Sequence, residues 1–153
     1  MKPANTFKYE NRLAKVVSGK GGMSAAEAIR GATAAVELVR DPTIAQIDAN
    51  LQEIYTLADQ LKAGPDEAAL QRMYICSNQV VATAGVFDLA DLGQAAYSLC
   101  ELVSRFQTLD RFQWQLIQVH TDGLRLLRTP GEHDPEHRAA VLEGLRRVAT
   151  SVA

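Results

Sequence analysis

Two cysteines in 153 residues, Cys76 and Cys100, are too few for a disulfide framework. Both fall in helix-patterned apolar stretches, so they read as small buried hydrophobes of a reducing compartment. Charge of one sign is lacking as well: 16 Lys and Arg face 18 Asp and Glu, and a net charge of −2 gives no whole-chain attraction to nucleic acid. Aromatics are few. Trp114 is the single tryptophan, and no basic and aromatic residues interleave to stack bases. No apolar run approaches the roughly 18 residues of a membrane helix, and residues 1–10 hold no apolar stretch like that of a secretory signal. The expectation is a cytoplasmic protein with no membrane span and no nucleic-acid partner. No segment alternates polar and apolar residues as a strand would.

What the sequence does contain is helical periodicity between breakers. Residues 1–23 carry Lys2, Lys8, Arg12, Lys15 and Lys20 against Glu10 and end in Gly- and Ser-rich punctuation, which predicts a basic flexible arm. The remainder, 24–153, predicts a single helical-bundle domain. Ser24 and Glu27 form a capping-box pattern ahead of an alanine-rich helix. Asp41-Pro42 stops that helix and, with Asp41 as N-cap, starts a second carrying Ile44, Ile47, Leu51, Ile54, Leu57 and Leu61 on one stripe. Gly64-Pro65-Asp66 opens a third, with Leu70, Met73, Ser77, Val80, Val81 and Ala84 inward. Asp88, with Asp91 three residues on, predicts the cap of a fourth helix bearing Leu89, Leu92, Ala96, Leu99, Leu102 and Val103. After a turn at Thr108-Leu109-Asp110, a fifth carries Phe112, Leu116, Val119, Gly123 and Leu127 on one side. Asp134-Pro135 caps a sixth with Val141, Leu142, Leu145, Val148 and Val152 inward. Connections of two to six residues suit antiparallel neighbours. The fold class is all-α.

Catalytic chemistry finds little support. Gly19-Lys20-Gly21-Gly22 lacks the strand and the Lys-Ser/Thr pair that a phosphate loop needs. His133 and His137 stand four apart, but Asp134-Pro135 places a helix start between them and no third ligand follows at plausible spacing, so no metal is expected. No Ser/His/Asp or Cys/His set can be assembled, and the carboxylates belong to caps and solvated faces. His120 borders the apolar side of the fifth helix; it is either a core-edge residue held by a hydrogen bond or, if solvent reaches it, a phosphate-accepting imidazole. The expectation is a protein that is not an enzyme and carries no cofactor.

The third helix stands out. Opposite its inward side it presents Gln71, Ile75, Asn78, Ala82 and Gly85, from an advance of about 100° per residue. No charged residue occurs between Arg72 and Asp88, whereas an outward face normally carries long charged side chains. Small residues around one amide let another molecule approach closely. This face is either a docking surface centred on Asn78 or a contact with another helix of the chain or a second copy in a homo-oligomer.

The segment Asn78-Gln79-Val80-Val81-Ala82-Thr83-Ala84-Gly85-Val86-Phe87, with the Leu89-Ala90-Asp91-Leu92 helix after it, resembles the histidine-phosphotransfer (Hpt) family. That family carries its phosphoacceptor histidine in mid-helix on an antiparallel four-helix bundle, with a lysine three residues on, a glycine four on and a small residue six on. Here Ala84 matches the small position and Val80 the core leucine, while Asn78, Val81 and Ala82 stand at the histidine, lysine and glycine positions. The likeness spans about 43–128 and implies an Hpt-like bundle with added N- and C-terminal helices. It implies lost phosphotransfer and a retained shape that docks a response-regulator receiver domain, or the cognate histidine kinase, in two-component or chemotaxis signalling. Gln94 on the fourth helix would assist the contact. A fainter likeness, in Arg12-Leu13-Ala14-Lys15 to Ala28 and in Val141-Leu142-Glu143-Gly144-Leu145, is to the CheE proteins of alphaproteobacterial chemotaxis clusters.

Overall fold

The computed structural model describes residues 22–106, 109–129 and 134–152, and among these every regular element is helical. The helices are α1 (Ala25–Leu38), α2 (Arg40–Gln60), α3 (Glu67–Ala84), α4 (Ala90–Arg105), α5 (Trp114–Arg128) and α6 (Pro135–Ser151), with short 3₁₀ turns at Leu61–Ala63, Gly85–Phe87 and Leu109–Arg111. The chain divides into two compact units between Val39 and Arg40. The basic arm and His133 lie almost wholly outside the described residues.

The first unit contributes α1. Its Ser24 hydroxyl accepts from the Glu27 N–H at 3.2 Å, and the Glu27 carboxylate accepts from the Ser24 N–H at 2.8 Å. Two of the four free donors at the helix start are thereby satisfied. Hydrogen bonding by Ser24 holds the Glu27 carboxyl below its usual range.

The second unit is a helical bundle. Helices α2, α3, α4 and α5 pack each on the next, α5 returns to α2, and α6 lies against α4 and α5. Ile47, Leu51 and Ile54 from α2 meet Met73, Val80 and Ala84 from α3, Leu92, Leu99 and Leu102 from α4, and Ile117, Leu124 and Leu127 from α5. Leu142, Leu145 and Ala149 seat α6. At Gly123 a Cβ would stand 2.8 Å from Leu145 Cδ1, so glycine lets α6 approach α5 closely there. Between α2 and α3 the chain turns at Gly64 with φ of 140°, a conformation that favours glycine. Asp66 then caps α3, its side chain accepting from the Ala69 N–H at 2.9 Å.

Three local expectations are corrected. Helix α2 starts at Arg40, so Asp41 is inside its first turn and not its N-cap. Pro42 is tolerated there because first-turn N–H groups have no helical partner to lose. Asp88 does not cap α4: its φ of 60° places it in the left-handed region, where it ends the Gly85–Phe87 turn. The Leu89 N–H then reaches back to the Ala84 carbonyl at 3.1 Å, and Leu89 is buried beside it. That is the arrangement of a helix stop, with aspartate in a place usually held by glycine. Asp91 makes no capping box and pairs with Arg138 of α6 at 2.6 Å. On α5 the buried residues are Ile117, His120, Thr121, Gly123, Leu124 and Leu127, while Leu116 is half-buried and Val119 is 45 % exposed. Apolar residues cover so much of this helix that periodicity alone does not choose its inner side.

Both thiols are enclosed, Cys76 fully and Cys100 at 7 % exposure, and burial pushes each up to about 11. The thiolate is the reactive form, so neither is poised for chemistry at neutral pH. A thiol-reactive dye at pH 8 is expected to label the native chain no faster than it unfolds. It should label two sites per chain in denaturant, and rapid labelling of the folded protein would contradict this packing.

Candidate functional site

Helix α3 carries the surface singled out by sequence. Gln71, Ile75, Asn78, Ala82 and Gly85 are all exposed, with Gly85 opening the 3₁₀ turn that follows the helix. Among the described residues none forms a hydrogen bond with the Asn78 amide. The opposite side of α3 is wholly enclosed: Met73, Cys76, Ser77, Val80 and Ala84 have no exposed surface. The Ser77 hydroxyl donates to the Met73 carbonyl at 2.8 Å, so this polar side chain is satisfied inside its own helix.

Two recesses flank the ridge where α3 meets α4. Near its C-terminal end, an open groove of about 590 Å³ takes in Gly85 and Gln94 together with Val81, Tyr97, Glu101 and Arg146. Near its N-terminal end, one of about 500 Å³ takes in Gln71 with Tyr74, Ser104 and Phe106. The structure thus brings Gly85 and Gln94 together and places Gln71 in a separate recess. Ile75, Asn78 and Ala82 share the exposed side of the helix between them.

Gln94 is not a free contact. Its amide oxygen accepts from Arg146 of α6 at 2.6 Å, a hydrogen bond between residues 52 apart in sequence. Two further residues of this surface have no part in the sequence reading: Tyr74, 39 % exposed, and Tyr97, 57 % exposed. Tyr74 could have been found, since it lies one helical turn before Asn78. Tyr97 and Arg146 could not, because only packing aligns α4 and α6 with α3. The face is therefore a ridge of small and uncharged residues with a tyrosine on either helix, and charge enters at its margins through Glu101 and Arg146 at one end and Glu67 at the other. Such a surface suits close contact with another protein, where aromatic anchors supply area at little entropic loss.

His120 is placed differently from the phosphate-accepting alternative. It has no exposed surface, and both ring nitrogens are engaged. Nδ1 lies 2.8 Å from the Leu116 carbonyl, which can only accept, so Nδ1 carries the hydrogen. Nε2 is left to accept from the Ser98 hydroxyl at 3.0 Å. Burial pushes its pKa down, with backbone contacts to Leu116 and Leu145 partly opposing the shift. An imidazole that takes a phosphoryl group must present a nitrogen to the donor, and His120 presents neither. Ser98 and His120 also fail as a nucleophile and base. Ser98 lies 2 % exposed in the middle of α4, where helix bonding occupies the backbone N–H groups that would stabilise an oxyanion.

Trp114 is structural too: its indole N–H donates to the Ala58 carbonyl at 2.9 Å, tying α5 to α2. His137 follows the Asp134 cap, and its backbone N–H donates to that carboxylate at 2.9 Å. Among the described residues no three His, Cys, Asp or Glu side chains are grouped to hold a metal ion, and no helix is long and apolar enough to cross a membrane. No family model, curated protein or solved structure matches the chain.

Proposed function

We propose that this chain is a non-catalytic, Hpt-like protein-binding module that docks the receiver domain of a response regulator in two-component or chemotaxis signalling. In this reading α2 to α5 serve as the antiparallel four-helix bundle, α1 and α6 are additions, and Asn78 occupies the centre of the docking face. One observation carries it. The uncharged side of α3 from Gln71 to Gly85 faces outward, although an uncharged helix side usually faces a core. Asparagine cannot accept a phosphoryl group as imidazole does, so the module binds without transferring phosphate. It would hold the receiver or compete for it with an active phosphotransfer protein or kinase.

The test is calorimetric titration of the chain with receiver domains encoded beside it. The expected result is saturable binding that Asn78→Arg weakens at least about tenfold, the scale of losing one well-packed central contact. Arginine there brings a long charged side chain into the middle of the face while leaving the core untouched. Unchanged affinity in that variant, or no binding by any receiver, removes the reading.

A further inference from the structure

Within the second unit, and among the described residues, the outer side of α5 and α6 is a further surface that neighbouring helices leave open. An open groove of about 330 Å³ runs between them, walled by Val119 and Leu126 on α5 and by Val141 and Val148 on α6. Gly123 and Gly144 lie along its floor, and Asp122 is the one charged residue at its edge. Val119 is 45 % exposed, and Leu126, Val141 and Val148 are half-buried, so the apolar stripe is continuous across both helices. The Asn78 face is built on α3 and α4 with Arg146 of α6 at its margin, and it shares none of the residues that line this groove.

Gly144 sharpens the point. A Cβ there would meet nothing within 4 Å, so no close approach inside the chain requires glycine, and glycine in mid-helix weakens the helix. The absent side chain leaves room for an incoming backbone at that point. The charges beside the groove suggest whose backbone it is. Glu143 and Arg147, 51 % and 78 % exposed, flank Gly144 on one side of α6 and pair with each other at 3.0 Å, and Arg146 stands 3.9 Å from the same carboxylate. If two copies of α6 cross antiparallel at Gly144, each Glu143 lies two residues, roughly 3 Å along the axis, from the partner's Arg147 on the same flank. A strip that carries an acid and, four residues on, a base is complementary to itself under a twofold rotation.

We propose that the α5–α6 face joins two copies of this chain about a twofold axis, with Gly144 at the crossing and Glu143 paired to the partner's Arg147. The interface is isologous: Val141 and Val148 of each copy enter the groove of the other. Arg146, which bonds Gln94 and stands beside Glu143, lies between this interface and the Asn78 face.

Sedimentation equilibrium of the full chain tests the proposal. The wild type should be a dimer, and Gly144→Leu should weaken dimerisation about tenfold or more, because the added side chain holds the two backbones apart. With nothing beyond the adjoining residues and turns of its own helix within 4 Å of the new Cβ, that variant is expected to fold, which its circular dichroism melt will show. Glu143→Arg alone should weaken the dimer, and adding Arg147→Glu should restore it. A wild type that stays monomeric up to its solubility limit overturns the proposal, as does a dimer indifferent to Gly144→Leu. A double charge swap no better than the single one overturns the register. Asn78→Arg serves as the control: a dimer that it splits would place the contact on α3 and overturn this assignment.

Discussion

Arg138→Met is expected to lower the unfolding free energy by about 2–4 kcal/mol, a large share of the roughly 5–15 kcal/mol typical of a whole domain. Arg138 lies in the first turns of α6, and its side chain is 11 % exposed. Nε donates to the Asp91 carboxylate in the first turn of α4 at 2.6 Å. Nη1 and Nη2 donate to the carbonyls of Thr129 and Leu127 at the end of α5, at 3.2 and 3.4 Å. One planar fork therefore joins three helices and satisfies carbonyls that a helix end leaves without partners. Methionine keeps much of the packed volume and removes every donor, leaving a two-thirds-enclosed carboxylate and two carbonyls unpaired. Urea denaturation monitored by circular dichroism measures the loss. Arg138→Lys should recover only part of it, since a point charge cannot reach three acceptors in a plane. Full recovery by lysine would show that charge alone matters. Exposed pairs such as Arg147 with Glu143 should contribute far less, because solvent screens them.

Loss of stability in mild acid is the second large effect, and it should trace to His120. Burial depresses the folded-state pKa, whereas the unfolded imidazole titrates near its ordinary value of about 6.5. The unfolded chain therefore binds the proton first. The contribution of the neutral form is complete above about pH 6.5 and is lost as pH falls from there toward the folded value, at up to about 1.4 kcal/mol per pH unit. Protonation also turns Nε2 from acceptor to donor, reversing the bond with Ser98 that ties α5 to α4. His120→Ala should cost about 2–4 kcal/mol at pH 7.5, from the cavity and the unpaired Ser98 hydroxyl. The double variant His120→Leu with Ser98→Ala removes both polar partners, so it should be nearer wild type at pH 7.5 and flatter between pH 7 and 5. Denaturation midpoints across that range read both predictions. A wild type with no pH dependence there would show that His120 is solvated in solution.

The sequence was most legible where the chemistry is local. The caps at Ser24, Asp66 and Asp134 each bond an N–H three residues on, so neighbouring letters contain the whole interaction. The α2 stripe from Ile47 to Leu61 and the α4 stripe from Leu89 to Val103 were readable because each is a single apolar arc against a polar one. On α3 the absence of charge marked the candidate face, and tertiary packing left its five residues in solvent. Legibility failed where a residue had two local options. Asp88 and Asp91 have the spacing of a cap, yet Asp88 turned left-handed to end α3 and Asp91 turned to an arginine 47 residues away. Helix α5 offered two apolar arcs, and the bond from Ser98 to His120 falls on the arc that faces inward, which left Val119 outside.

By itself the sequence determined that the chain is helical, roughly where each helix starts and stops, and which side of α3 carries no charge. Those properties follow from propensity, capping and periodicity, all of which act within about four residues. Only the tertiary structure decided that His120 is sealed inside, that Arg146 reaches Gln94, that Arg138 gathers three helix ends, and that the α5–α6 face stays open. Each of these depends on which helices become neighbours and at what height. That choice is made by burying the combined apolar surface of several helices at once, and no single stretch of the chain encodes it.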